Sequence, residues 1–223
     1  MNSFKLILTT ILSGFIIVLS TNAQETSEDL DGSAFMDILI KQLIEDMPKD
    51  DRVHQPISFR DDFISHLDEL IDPDIVYDPS YRRLDNMCDD VPADVGVCSD
   101  VVIRAFHKID VCLAEYMYVY RYAKGLPIDT NIDHRRVRNL GALFSDQGLQ
   151  VKYKGELTKI LKGDIIWFKM PGNLDHIAIA MEDGVQYGHP PKVLHNIGYG
   201  QVVDKQPWAY HVHKIYRVPD TIE

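Results

Sequence analysis

Cys98 stands where a helix begins. The stretch Gly96-Val97-Cys98-Ser99-Asp100 leads into Val101, Val102, Ala105, Phe106 and Ile109, whose spacing marks one face of a helix starting near Cys98. A thiol in a first helical turn meets backbone N–H groups that lack intrahelical partners, and the positive end of the helix dipole. Both favour thiolate over thiol, and the thiolate is the nucleophile. The plain alternative is a buried structural cysteine. Asp175-His176-Ile-Ala-Ile-Ala180 supplies an imidazole on a strand where His176, Ala178 and Ala180 share a face. Small side chains on that face would let a helix approach, so that His176 could take the thiol proton and return it to a leaving group. The alternative here is a half-buried strand histidine bonded to a backbone carbonyl. A catalytic imidazole needs a partner on its second nitrogen. Lys192-Val-Leu-His195-Asn196 offers two, and because neighbouring strand residues face opposite ways, only one of His195 and Asn196 can serve.

Other polar residues could support such a site. Asp100 lies in the first turn of the same helix, and Tyr77 or Tyr81 could line its pocket. In Asp129-Thr-Asn-Ile-Asp133-His134-Arg135-Arg-Val-Arg138, Asp133 reads most simply as a helix cap. The functional reading puts Asp133, His134 and Arg135 at a cleft rim, gripping a carboxylate-rich substrate. None of the nine histidines shows zinc-ligand spacing, so neither a metal nor another cofactor is expected.

These residues need a scaffold. Helical stripes are predicted at Phe35–Met47, Phe63–Ile71, about 98–109, 112–124 and 136–147, the last ending at Gly148. Short segments rich in β-branched and aromatic residues follow at 149–153, 164–170, 176–181, 192–197 and 211–218, separated by turn residues. Helices first and strands afterwards predict an α+β fold with helices packed on an antiparallel sheet. The chain has 223 residues, enough for one compact domain with a small extension, and a net charge of −11. That acidity argues against nucleic acid as a partner. It is concentrated in Gln24–Val76, with 15 acids against 4 bases, so an acidic helical extension (24–76) is expected before the main domain (77–223).

Residues 1–23 read as a secretory signal peptide. Lys5 precedes an apolar run from Leu6 to Leu19, and Ser20-Thr-Asn-Ala23 supplies small residues for cleavage. The run is short for a bilayer span, although a retained anchor is the alternative. A periplasmic or secreted protein, without stable membrane insertion after cleavage, is the expectation.

The ordered motifs resemble a known group. A helix-initial cysteine, Lys162-Gly163-Asp164 turning into an apolar strand, Asp-His-Ile-Ala-Ile and a further strand with histidine are similar to NlpC-type papain-like cysteine peptidases. Tyr77-Asp-Pro-Ser-Tyr-Arg-Arg-Leu84, Asp90-Val-Pro-Ala-Asp94, Gly96–Ala105, Thr130–Val137 and His195-Asn-Ile-Gly198 resemble the bacterial domain of unknown function 1287 family, over about Tyr77 to Val218. The resemblance implies a papain-like fold and a site made of Cys98, His176 and His195, with Asn196 the alternative third member. The implied activity is hydrolysis of an amide or peptide bond, in bacterial cell-wall peptide by analogy. A non-catalytic envelope-binding module and a thioester-forming acyltransferase are the rival readings.

Cys88 and Cys112 depart from the family's pattern. In an oxidising compartment they could form a bridge, closing a loop of about 25 residues and contributing ~3 kcal/mol, with Cys98 left unpaired. Two buried free thiols are the alternative.

Overall fold

A computed structural model describes residues 58–185 and 188–221. The expected signal peptide and the stripe at Phe35–Met47 lie outside them. Four α-helices lie among the described residues: α1 (Phe59–Ser65), α2 (Cys98–His107), α3 (Leu113–Ala123) and α4 (Val137–Asp146). Two short strands, β1 (Val76–Tyr77) and β2 (Val95–Gly96), pair in parallel. The remaining strands are β3 (Ile165–Met170), β4 (Leu174–Ala180), β5 (Val193–Asn196), β6 (Gln201–Asp204) and β7 (His211–Tyr216). They form one antiparallel sheet in the order β6-β5-β4-β3-β7. The fold is α+β.

Strand alternation divides the sheet into two apolar faces. Ile165, Trp167, Ile177, Ile179, Leu194 and Tyr216 meet the helices, whose stripes supply Val101, Val102, Phe106, Leu140 and Phe144. The opposite face gathers Ile166, Phe168, Ala178, Ala180, Val193 and Ile215 under Ile160, with Trp208 packed against them. This corrects one expectation. The helix packs on the Ile177–Ile179 face of β4, and the small residues Ala178 and Ala180 lie on the face that accommodates Phe168 and Trp208. Close helix approach is instead provided by Gly141 of α4, where a Cβ would fall 2.5 Å from the Trp167 ring.

Two further differences concern the strands. Residues 149–153 make no named strand. They run beside β7 through an isolated bridge from Gln150 to Tyr216 and a Val151 N–H bond to Ile215 O. The sequence reading also passed over β6, which follows the Ile197–Gly200 turn. Gly200 has φ +99° and a Cβ there would lie 2.3 Å from Pro73 O, so only glycine suits this close crossing.

Residues 58–76 are tied into the same core. Phe63, Leu67 and Leu70 are buried with α2, and burying each such side chain stabilises by about 1.5–3 kcal/mol. Asp72 and Gln201 exchange backbone hydrogen bonds at 2.9 and 2.8 Å, and Arg60 of α1 reaches Asp164, which also takes two bonds from Arg217. The structure joins Cys88 to Cys112 in a disulfide, leaving Cys98 as the free cysteine.

Candidate functional site

α2 begins at Cys98 because its first turn is satisfied from within. The Asp100 carboxylate accepts from the Val97 N–H at 2.7 Å, giving an orphaned backbone donor a partner. Asp100 also takes a two-pronged bond from Arg135, with Nε and Nη2 each at 2.8 Å, and both side chains are buried. Ser99 Oγ donates to Arg135 O at 2.6 Å. The segment before α4 is thus strapped across the start of α2, fixing the cysteine in place.

The sulfur meets β4 where the sheet opens. β4 pairs with β5 at Ile179–Leu194 and Ala180–Val193, whereas its Leu174–Ile177 half pairs with β3. There Cys98 Sγ accepts a hydrogen bond from the backbone N–H of Ile177, the peptide unit that joins it to His176. Thiol and imidazole therefore flank one peptide group, with no direct hydrogen bond between them among the described residues.

His176 lies on the other side of that peptide, almost fully buried, with its ring edge-on to His195 at 5.1 Å between centroids. His176 Nε2 and His195 Nδ1 are both buried without hydrogen-bond partners. His195 is the strand residue that faces His176. Asn196, pointing the opposite way, donates to Gly96 O at 3.4 Å and accepts from the Gly198 N–H, so it holds β5 against β2. The second nitrogen of His195, Nε2, is 2.9 Å from Asp204 Oδ1, and Tyr199 donates to the other Asp204 oxygen at 2.8 Å. Sequence reasoning missed Asp204. Its signal was register: His195 pairs with Val202, so Asp204, two residues on, shares the face of His195.

Electrostatics set the resting protonation. Burial pushes the Cys98 thiol up to about 11. The N–H groups of Ile177, Ser99 and Cys98 itself pull the other way, and Asp100 adds to the rise. The expected thiolate is thereby corrected: desolvation outweighs the helix terminus. Burial also holds His176 down at about 3, with His195 lowering it further and Asp204 opposing. The resting pair is a neutral thiol and a neutral imidazole. Burial lowers His195 too, against the pull of Asp204. Asp204, which burial alone would raise, is held below the usual carboxylate range by the Gln206 N–H, His195 and Tyr199.

A cleft of about 610 Å³ opens on Cys98. Tyr77, Pro79 and Tyr81 line one side, and Arg135, Arg136, Arg138 and Asp175 are among the residues lining the rest. The backbone of Tyr77 pairs with Gly96, and burial, then Cys98 and Asp100, push its phenol up to about 12. The His176 ring does not line the cleft; it sits behind the sulfur.

The Asp133–Arg135 expectation needs correction. These residues form a 3₁₀ turn, and Arg136, not Asp133, is the residue that precedes α4. Asp133 is buried, accepting from the Asp129 N–H at 2.7 Å and pairing with Arg121. His134 is buried as well, and desolvation holds it down at about 4. Neither can grip a substrate at a rim, although Arg135 does reach the cleft lining. As for metals, the one candidate cluster among the described residues is Cys88, Cys112 and Glu115, and its two sulfurs are consumed by the disulfide. No described helix is long and apolar enough to cross a membrane.

The chain is 36% identical over 138 residues to the uncharacterized protein YijF of Escherichia coli (strain K12), covering 56% of this chain and 65% of that protein. The match thus spans just under two thirds of the relative's length. A family model described as a domain of unknown function (DUF1287) matches residues 65–218, taking in the helix of Cys98 and the strands of His176, His195 and Asp204. By that match, this chain belongs to the DUF1287 family.

Proposed function

We propose that the protein is an exported papain-like cysteine hydrolase that cleaves an amide or peptide bond, acting on bacterial cell-wall peptide by analogy with NlpC-type enzymes. One observation carries this reading. A helix-initial sulfur on the cleft wall sits on the peptide of His176, and behind it runs a buried series from His176 through His195 to Asp204. The disulfide supports folding in an oxidising compartment.

The chemistry follows from the neutral resting pair. The Asp204 carboxylate keeps the His195 proton on Nε2, and the His195 ring packs edge-on against His176 without a hydrogen bond to it. At rest the Ile177 peptide separates the two side chains, so attack requires the His176 ring to turn to the Cys98 side of β4, where it takes the thiol proton as Sγ bonds to the substrate carbonyl carbon. The carbonyl oxygen becomes an oxyanion, stabilised by the Cys98 backbone N–H and by the Tyr77 hydroxyl, which stays protonated. The C–N bond breaks, the imidazolium proton passes to the departing amine, and a thioester remains. Water attacks that thioester, giving its proton to His176, and the C–S bond breaks to restore the thiol. An amine in place of water would make the same site an acyltransferase.

The raised thiol pKa favours a second reading, a binding module that retains the fold without turnover. Muropeptide profiling with wild type and Cys98→Ala tests the hydrolase. Fragments that depend on Cys98 support it, and identical profiles discard it for that substrate. Mass analysis of the products separates hydrolysis from acyl transfer.

A further inference from the structure

The protein is acidic overall, yet the wall of the cleft is not. Its charged lining residues are Arg135, Arg136, Arg138 and Asp175. Asp175 is already engaged three times: Arg138 Nε and Lys169 Nζ bond its oxygens, and Trp167 Nε1 donates at 2.8 Å. Its charge is therefore compensated within the protein. Arg136 is more than half exposed, and its nearest carboxylate, on Asp133, is 3.7 Å away. The Arg138 side chain is also more than half exposed, but its Nε bonds Asp175 and its Nη2 donates to Asn173 O at 3.0 Å, so Nη1 is its nitrogen without a bond among the described residues. Arg135 spends Nε and Nη2 on Asp100, and its buried Nη1 has no hydrogen-bond partner. Three guanidinium groups thus line one cleft and only one carboxylate is among them. Low-dielectric walls focus such a field, and planar guanidinium forks suit carboxylates.

We infer that this cleft takes an acidic peptide, with a substrate carboxylate held between Arg136 and Arg138 a short distance from Cys98. The carboxylate belongs to a side chain such as glutamate or to a peptide C-terminus. Both present the same two oxygens to the arginines. The inference rests on the proposed substrate site, but its test needs no turnover.

The test measures binding of fluorescein-labelled peptides to the full-length Cys98→Ala protein by fluorescence polarisation. One set is C-terminally amidated and carries Glu-Glu, Gln-Gln or Lys-Lys at its centre. A second set carries Gln-Gln with a free C-terminal carboxylate. We expect roughly tenfold tighter binding of the Glu-Glu peptide, or of the free acid, than of the amidated Gln-Gln peptide. The winning set identifies the source of the carboxylate. The preference should shrink between about 50 mM and about 300 mM NaCl, since screening weakens exposed ion pairs. It should fall to within about twofold in the Arg136→Gln/Arg138→Gln protein. Equal binding of all peptides overturns the inference, as does a preference that survives the double substitution. An acidic peptide that binds but is never cleaved by wild type would instead count against the hydrolase alone. Cleavage of Glu and Gln peptides at equal rates would count against the cleft's charge selectivity alone.

Discussion

Two buried histidines make the fold acid-labile in a narrow window. His176 is held at about 3 and His134 at about 4, against 6.5 for a free imidazole. In the native state both stay neutral well below pH 6.5, whereas in the unfolded chain both take up protons there. Their contribution is therefore complete above about pH 6.5 and is lost as pH falls toward the native values. Each histidine costs about 1.4 kcal/mol per pH unit, so a drop to about pH 5 removes about 2 kcal/mol apiece and about 4 kcal/mol together. That is a large share of a typical stability of about 5–15 kcal/mol. Asp175 and Asp204 are held below 3.8 and lose their contribution only in stronger acid, whereas Glu115, raised by burial, works in the opposite direction, so the His134→Gln comparison rather than the total isolates the histidine effect. The assay is urea unfolding followed through Trp167 and Trp208, at about pH 7.5 and about pH 5, for wild type and His134→Gln. The substitution should remove about 2 kcal/mol of the pH dependence, whatever it does to stability at neutral pH. An identical dependence in His134→Gln would refute the reasoning.

Other perturbations read the site and its supports. If the proposed hydrolase reading holds, Asp204→Asn removes the charge that fixes His195 and should lower kcat on the order of ten- to a hundredfold with native-like folding, measured as release of Cys98-dependent fragments. Arg135→Gln leaves Asp100 buried without its partner. Thermal unfolding should report a loss of about 3–5 kcal/mol. Gly141→Ala puts a methyl 2.5 Å from the Trp167 ring and 2.9 Å from the Tyr216 hydroxyl, and should cost about 1–3 kcal/mol in urea unfolding.

The helices were legible because their apolar residues repeat at helical spacing. Val101, Val102, Ala105 and Phe106 located α2 from its first residue, and Gly148, at φ +71°, closes the region after α4. Alternation correctly required that His195 and Asn196 face opposite ways. It could not say which face of β4 meets the helices, since both faces are apolar and the choice depends on how Phe168 and Trp208 pack. Asp204 was hidden because β6 is only four residues long and carries no alternating pattern. The direction of the Cys98 shift was hidden for another reason. A helix terminus is visible in sequence, but the desolvation that outweighs it exists only once α2 is pressed against β4.

The Cys88–Cys112 bridge has a consequence for the chain's integrity. It brackets the whole of α2, from ten residues before the sulfur to the residue preceding α3. A protease that cuts anywhere between the two bridged positions would leave both fragments covalently tethered, migrating as one species until a reductant parts them. The helix that presents Cys98 is thus guarded against loss by a single nick, and damage to it would pass unnoticed on a non-reducing gel.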